Sequence, residues 1–300
     1  MKKLLVICGA TASGKTALAV ECAKRLGGEV VSCDALLVYR GLNIGTAKPT
    51  KEERAGIPHH LIDVADPTDP FTVHDYERLA LAAIEDISAR GKVPVICGGT
   101  GFYLNAVLFR SGFGNAAADE GIRAKYQAIA EEKGKDYLHG LLRERDPESA
   151  AILHPNDVKR VVRALEIFEL TGRKKSEQRD EKIARFAYEA FALDFPRGEL
   201  YARIDRRVEE MFEAGLVGEV EGMLAAGVPE DAQCMQGIGY KEVIEGLKNG
   251  YLHSTMRDII QKNTRNYAKR QLTFFKKLPN LHWLDPSGAA IEEVIELYDR

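Results

Sequence analysis

The sequence predicts an α/β protein. Its parallel sheet core should be interrupted by an inserted, mostly helical domain and followed by a helical C-terminal region. Three observations predict this. Over the first hundred residues, short β-rich runs alternate with longer amphipathic stretches, the pattern of βα units on a parallel sheet. From about residue 112 the texture changes to Ala, Glu, Lys and Leu without a convincing strand. The run FAYEAFALDF then returns to strand character, as a chain rejoining its sheet would. Domains are expected at 1–112, 113–190 and 191–300.

Taken in order, residues 4–8 read as a buried strand and 15–26 as a helix. Residues 29–33 form a second strand, and 73–90 a helix with apolar positions near Leu79, Ala83 and Ile87. Residues 93–97 are another strand, followed by GGTG and a helix starting near Phe102. Strands joined this way hold a ligand at their carboxyl ends, so the loops after Cys8, Cys33 and Cys97 should converge. In the insertion, residues 156–170 carry Val158, Val161, Val162, Leu165 and Phe168 on one helical face. HPND just before supplies a turn and a cap. Further helices are expected at 198–214, 217–226, 241–248 and 253–277.

Composition bounds the function. With 300 residues, 45% hydrophobic and 29% charged, the chain can bury a core, which excludes a disordered protein. No stretch approaches the ~18 apolar residues needed to cross a bilayer. The opening apolar run leads into a glycine-rich loop, as a buried strand does and a signal peptide does not. Five cysteines without a C-x-x-C pair argue against a disulfide or zinc scaffold and fit small core residues in a reducing cytoplasm. The histidines have no metal-ligand spacing, and the adjacent His59 and His60 are read as structural. A net charge of −3 weakens non-specific wrapping of nucleic acid, although the charge is uneven.

The strongest local motif is GATASGKT: Gly9, Ala10, Thr11, Ala12, Ser13, Gly14, Lys15 and Thr16. It fits G-x-x-x-x-G-K-[ST] with a strand before it and a helix after, as in P-loop NTPase-like cores. Successive backbone N–H groups and the helix N-terminus face phosphate oxygens, Lys15 adds a cation, and the Thr16 hydroxyl can ligate Mg²⁺. The motif indicates a diphosphate or triphosphate without saying which. ATP-hydrolysing relatives of this loop place an acid at the end of a later strand. Here that strand ends in Gly98-Gly99-Thr100-Gly101, and the acid stands instead at Asp34, after the second strand. Position alone leaves Asp34 as metal ligand, general base or cap of the following turn.

GATASGKT, SCDALLVYRGLNIGTAKP (32–49) and GGTGFYLNAVL (98–108) together resemble the tRNA dimethylallyltransferase family. The likeness continues through HPNDVKRVVRALE, LYARIDRRVEEM, MQGIGYKE and TRNYAKRQLTFFK in the expected order, over nearly the whole chain. The chain departs from the family pattern at Ala10 (usually Pro), Ala35 (usually Ser), Leu37 (often Gln) and Lys159 (frequently Gln).

The resemblance implies transfer of a dimethylallyl group from dimethylallyl diphosphate to N6 of the adenosine 3′ to the anticodon. Asp34 would be the general base, Thr11 and Lys15 would act at the diphosphate with Mg²⁺ on Thr16, and Arg207, or alternatively Arg203, would complete the clamp. It assigns tRNA contacts to Asp34, Ala35, Leu36, Leu37 and Thr100, to Arg123, Lys159, Arg160 and Arg163 in the insertion, and to Gly239, Arg265 and Arg270. The target base must leave its stack, held open by basic and aromatic groups. Residues 262–277 carry six cations and no acid, interleaved with Tyr267, Phe274 and Phe275. Those three aromatics are read as core. A cytoplasmic monomer without membrane contact is expected. Rival readings are a small-molecule kinase, an adenylate isopentenyltransferase and an ATP-gated RNA-binding module. The GGTG strand end and the basic-aromatic C-terminal helix speak against the kinase, and the insertion with that helix against the adenylate enzyme, whereas the RNA-binding module would bind ATP tightly and alkylate nothing.

Overall fold

The computed structural model describes residues 3–110, 119–177, 183–286 and 288–300. They form two compact units: the chain up to Leu108 together with Arg185 onward, and Phe109–Ala184. The boundary expected at 112/113 lies outside the described residues, and residue 190 falls inside a strand of the larger unit.

The larger unit is built on one parallel sheet. Its first elements are β1 (Leu4–Cys8), α1 (Lys15–Leu26), β2 (Gly28–Ser32), the short α2 (Lys51–Arg54), β3 (His59–His60), α3 (Val73–Ala89), β4 (Val93–Gly98) and α4 (Gly101–Leu108). The smaller unit contributes β5 (Phe109–Arg110), α5 (Glu120–Lys133), α6 (Lys135–Arg145), α7 (Pro147–Ile152), α8 (Val158–Thr171) and β6 (Ile183–Ala184). The chain then returns as β7 (Tyr188–Leu193), α9 (Arg197–Glu213), α10 (Leu216–Ala225), α11 (Tyr240–Asn249), α12 (His253–Phe275), β8 (Leu281–Leu284) and α13 (Ala290–Asp299). The strand order is β3-β2-β4-β1-β7-β8, every pairing parallel. β5 and β6 pair antiparallel.

Central strands covered on both faces read as unbroken apolar runs, and β1 and β4 are buried throughout. Leu5 and Ile7 of β1 and Val93 and Val95 of β4 pack with Leu18, Ala19 and Cys22 of α1 and with Val294 and Tyr298 of α13. All five cysteines are buried free thiols. The smaller unit has its own core, made by Tyr126, Leu138, Leu142, Val161 and Leu165.

Several expectations need correction. The buried face of α3 is Tyr76, Ala80, Ile84 and Ile87, with Leu79 and Ala83 only half-buried. Tyr76 turns the helix, because its hydroxyl finds the Ser32 carbonyl at 3.0 Å and so can be buried whole. HPND makes its turn, with Asp157 N donating to His154 O, but the Asp157 side chain makes no cap bond and pairs with Arg160 instead. The two-residue strand β3 was not expected. There His60 Nε2 meets Glu29 at 2.7 Å and His59 Nδ1 meets Ile57 O at 2.8 Å. β8 was read as part of a helical remainder. Its four residues are mostly half-buried at the sheet edge and carry no alternation to mark them.

Candidate active site

The chain leaves β1 through Gly9 at φ 133° and passes Ala12 at φ 61° and Gly14 at φ 85° before α1 begins at Lys15. Gly9 and Gly14 take these angles without steric cost, whereas Ala12 needs outside support. Arg203 Nε of α9 supplies it, donating to Ala12 O at 2.9 Å while its guanidinium stacks 4.6 Å over Phe195. Lys15 Nζ donates to Ala10 O at 3.1 Å. Burial lowers the Lys15 pKa, Arg207 adds to the effect, and Cys97 and Asp34 oppose it. The Ser13 hydroxyl is buried without a hydrogen-bond partner.

Two residues from distant elements finish the loop. Thr11 N donates to Gln271 Oε1 of α12 at 2.9 Å, and Gln271 Nε2 donates to Gly99 O at 2.9 Å. Arg207 of α9 donates to Thr11 Oγ1 at 3.3 Å. Burial lowers the Arg207 pKa and the Asp34 carboxylate opposes it, yet a guanidinium keeps its proton at neutral pH.

Asp34 follows β2. Its Oδ1 accepts from Leu36 N at 2.9 Å and Leu37 N at 3.3 Å, so the carboxylate does cap the next turn. Oδ2 takes part in neither bond. Thr100 Oγ1 accepts from Ala35 N at 3.1 Å, tying this turn to the end of β4. The GGTG run is glycine-rich because other chain segments crowd it. A Cβ at Gly98 would lie 2.1 Å from Cys33 O, one at Gly99 2.2 Å from Gln271 Nε2, and one at Gly101 2.3 Å from the Phe274 ring.

The three loops converge on a cavity of about 430 Å³. Thr11, Ala12, Asp34, Ala35, Leu36, Thr100, Arg207 and Arg270 line it, with apolar Ile204, Val208, Met211 and Ile260. Tyr267 lines it too, where the sequence reading put it in the core. Burial, with Asp34 nearby, raises its phenol to about 12. A second cavity of about 570 Å³ is lined by Gly14, Lys15, Thr16, Lys48, Arg203 and Arg206. The two share Ala12, Arg207 and Met211, so cradle and carboxylate stand on either side of Arg207. The loop GLNIGTAKP borders both cavities through residues 43–49, and Glu219 of α10 holds it. Glu219 accepts from Asn43 N, Ile44 N and Gly45 N at 2.9, 2.8 and 3.1 Å, and from Tyr240 Oη at 2.6 Å. Thr16 offers one hydroxyl to a cation. Among the described residues no group of three or more His, Cys, Asp or Glu could hold a metal.

The IPP transferase family model matches residues 37–278. The tRNA dimethylallyltransferase 1 of Trichlorobacter lovleyi is 47% identical over 286 residues, covering 94% of this chain and 93% of that one. This chain belongs to the IPP transferase family. It is therefore an enzyme of the transferase class, and its parallel core with many added helices is the family's fold. The tRNA isopentenylpyrophosphate transferase of Bacillus halodurans superposes with a TM-score of 0.74 at 41% identity, covering all of this chain and 95% of that one. A eukaryotic dimethylallyltransferase acting on tRNA gives 0.82 at 31% identity, over 95% of this chain and 74% of the other.

Not every expected residue of this IPP transferase reaches the cavities. Gly9 and Ala10 are buried and line neither cavity, and Leu37 contributes its N–H to the Asp34 turn. Gly239 precedes α11 at φ 101° and donates to Glu242 at 2.8 Å, while its neighbour Ile238 lines the cavity. Arg265 pairs with Asp205. In the smaller unit, Arg123 and Arg163 both bond the buried Glu166, at 2.9 and 2.7 Å, and Lys159 is exposed. Gln271 and Glu219 were not foreseen. A buried Gln on the apolar face of α12 was the one available signal for the first, and Glu219 carried none.

Proposed function

We propose that the chain transfers a dimethylallyl group from dimethylallyl diphosphate to N6 of the adenosine on the 3′ side of the anticodon in tRNA. The product is N6-isopentenyladenosine. The observation that carries this reading is a pair of adjoining cavities that share Ala12, Arg207 and Met211, the anion cradle lining one and a carboxylate with apolar side chains lining the other. A diphosphate fits the N–H groups from Ala12 to Thr16, with Lys15, Arg203 and Arg207 opposing its charge. The depressed Lys15 is the group whose proton such an anion would secure. A five-carbon chain fits against Ile204, Val208, Met211 and Ile260. In the reaction the C1–O bond breaks, releasing diphosphate, and the C1–N6 bond forms. The adenine amine is a weak nucleophile, so Asp34 takes its proton as that bond forms. Thr100 and Tyr267 stand beside Asp34 to orient the base.

Mg²⁺ fits the Thr16 hydroxyl and, bound with the diphosphate, would neutralise leaving-group charge. The RNA acceptor is supported by Arg270 at the cavity and by Lys262, Lys269, Lys276 and Lys277 exposed along and just beyond α12. An extruded adenosine would enter beside them. Arg123, Lys159, Arg160 and Arg163 belong to the same reading as phosphate contacts of the inserted unit. Among the described residues no helix is long and apolar enough to cross a membrane, and the proposal is a cytoplasmic monomer. The test is to incubate the protein with dimethylallyl diphosphate, Mg²⁺ and unmodified tRNA, then weigh the digested nucleosides. An adenosine five carbons heavier is expected. A digest with adenosine unchanged overturns the reading.

A further inference from the structure

We propose that Gln271 is a positioning residue for the diphosphate, setting the phosphate loop from the helix that faces the acceptor. The inference rests on the reaction proposed above. Gln271 is 6% exposed, and both ends of its amide are used. Oε1 takes the Thr11 N–H and Nε2 gives to Gly99 O, so a single side chain bridges the loop after β1 and the loop after β4. Gly99 is where that amide needs the space, since a Cβ there would lie 2.2 Å from Nε2.

Two consequences follow. The Thr11 N–H is engaged, so the donors that face an anion begin at Ala12. The orientation of the 10–11 peptide is also set, which holds Thr11 Oγ1 against Arg207 at 3.3 Å. Gln271 lies one turn beyond Tyr267 and next to Arg270, both on the cavity wall. The loop that binds the leaving group and the wall that receives the base are thereby built on one helix.

The variant Gln271→Met keeps the volume and loses both bonds. Gln271→Asn keeps polarity but is one methylene short. Three measurements read them: inorganic pyrophosphate binding by calorimetry, the single-turnover rate at saturating dimethylallyl diphosphate with tRNA, and tRNA binding alone by filter retention. Losing two hydrogen bonds, one of which leaves a half-buried N–H unpaired, should weaken pyrophosphate binding at least about tenfold. The single-turnover rate should also fall at least about tenfold, with tRNA binding within about twofold of wild type. A merely structural role would lower the melting temperature and the fraction of active sites, but not the pyrophosphate constant or the rate per active site. Wild-type constants in a folded variant overturn the proposal, and so does failure of both variants to fold. If the wild type binds pyrophosphate but transfers nothing, the functional reading fails, and the binding comparison still decides the role of Gln271.

Discussion

Asp34 combines two tasks that a pair of substitutions can separate. Oδ1 accepts from Leu36 N and Leu37 N, and Oδ2 is left out of both bonds. In Asp34→Asn the amide oxygen still accepts both bonds, so the turn that presents Ala35 and Leu36 to the cavity stays closed. Only the base is lost. A positioned general base contributes about 10²–10⁴-fold, or roughly 2.7–5.4 kcal/mol of barrier. Asp34→Ala loses the same base and also strands two half-buried N–H groups. At about 1 kcal/mol for the 2.9 Å bond and less for the 3.3 Å one, it should cost roughly 1–2 kcal/mol of stability as well. Single-turnover transfer, filter binding of unmodified tRNA and urea unfolding distinguish the two variants. Asp34→Asn should slow transfer at least about a hundredfold with tRNA affinity and urea midpoint near wild type. Asp34→Ala should be as slow, less stable and weaker for tRNA. An Asn variant with a near-normal rate removes Asp34 from the base role, and an Ala variant as stable as the Asn one removes it from the turn.

Three further outcomes are expected. Glu219→Ala strips four bonds from the 43–45 loop and Tyr240. Asn43 is exposed and can bond water, so the remaining three should cost about 3–5 kcal/mol in urea unfolding, with a raised KM for dimethylallyl diphosphate. Gly98→Ala puts a Cβ 2.1 Å from Cys33 O, so the ends of β2 and β4 must separate. Expression as soluble protein with a melting temperature equal to wild type would contradict that contact. Glu29 concerns acid stability: Arg90 foremost, with Lys92 and His60, holds its carboxyl well below the usual range against the opposing effect of burial. Its contribution is complete above the unfolded-state value near 4.5 and is lost as pH falls below it toward the depressed folded value. The urea midpoint of the wild type should therefore drop on acidification from about pH 5 to about pH 3. Glu29→Gln should flatten that limb, and an unchanged slope would show that other carboxylates carry it.

What could be read from the chain was mostly local. GATASGKT needs only a strand before it, a helix after it and glycines where φ is positive. The convergence of the loops after Cys8, Cys33 and Cys97 was also legible, because parallel strands have one common carboxyl end. The face of α3 was misassigned, since counting apolar residues overlooks a tyrosine that brings its own hydrogen bond to Ser32. β8 went unread because a short edge strand has no buried alternation to mark it. Tyr267 was read as core, yet it borders the cavity, and a residue's type and place in a helix cannot tell packing against protein from packing around a space.

Residue types and their order along the chain were enough for the fold class, the family resemblance and the anion cradle, because these rest on short-range geometry and on motifs contiguous in sequence. Folding in three dimensions chose the partners: Gln271 for the Thr11 peptide 260 residues away, Arg203 for the strained Ala12, Glu219 for the loop at 43–45. A backbone N–H accepts any well-placed oxygen. Which oxygen arrives depends on how helices pack over the sheet, and that is a property of the whole chain.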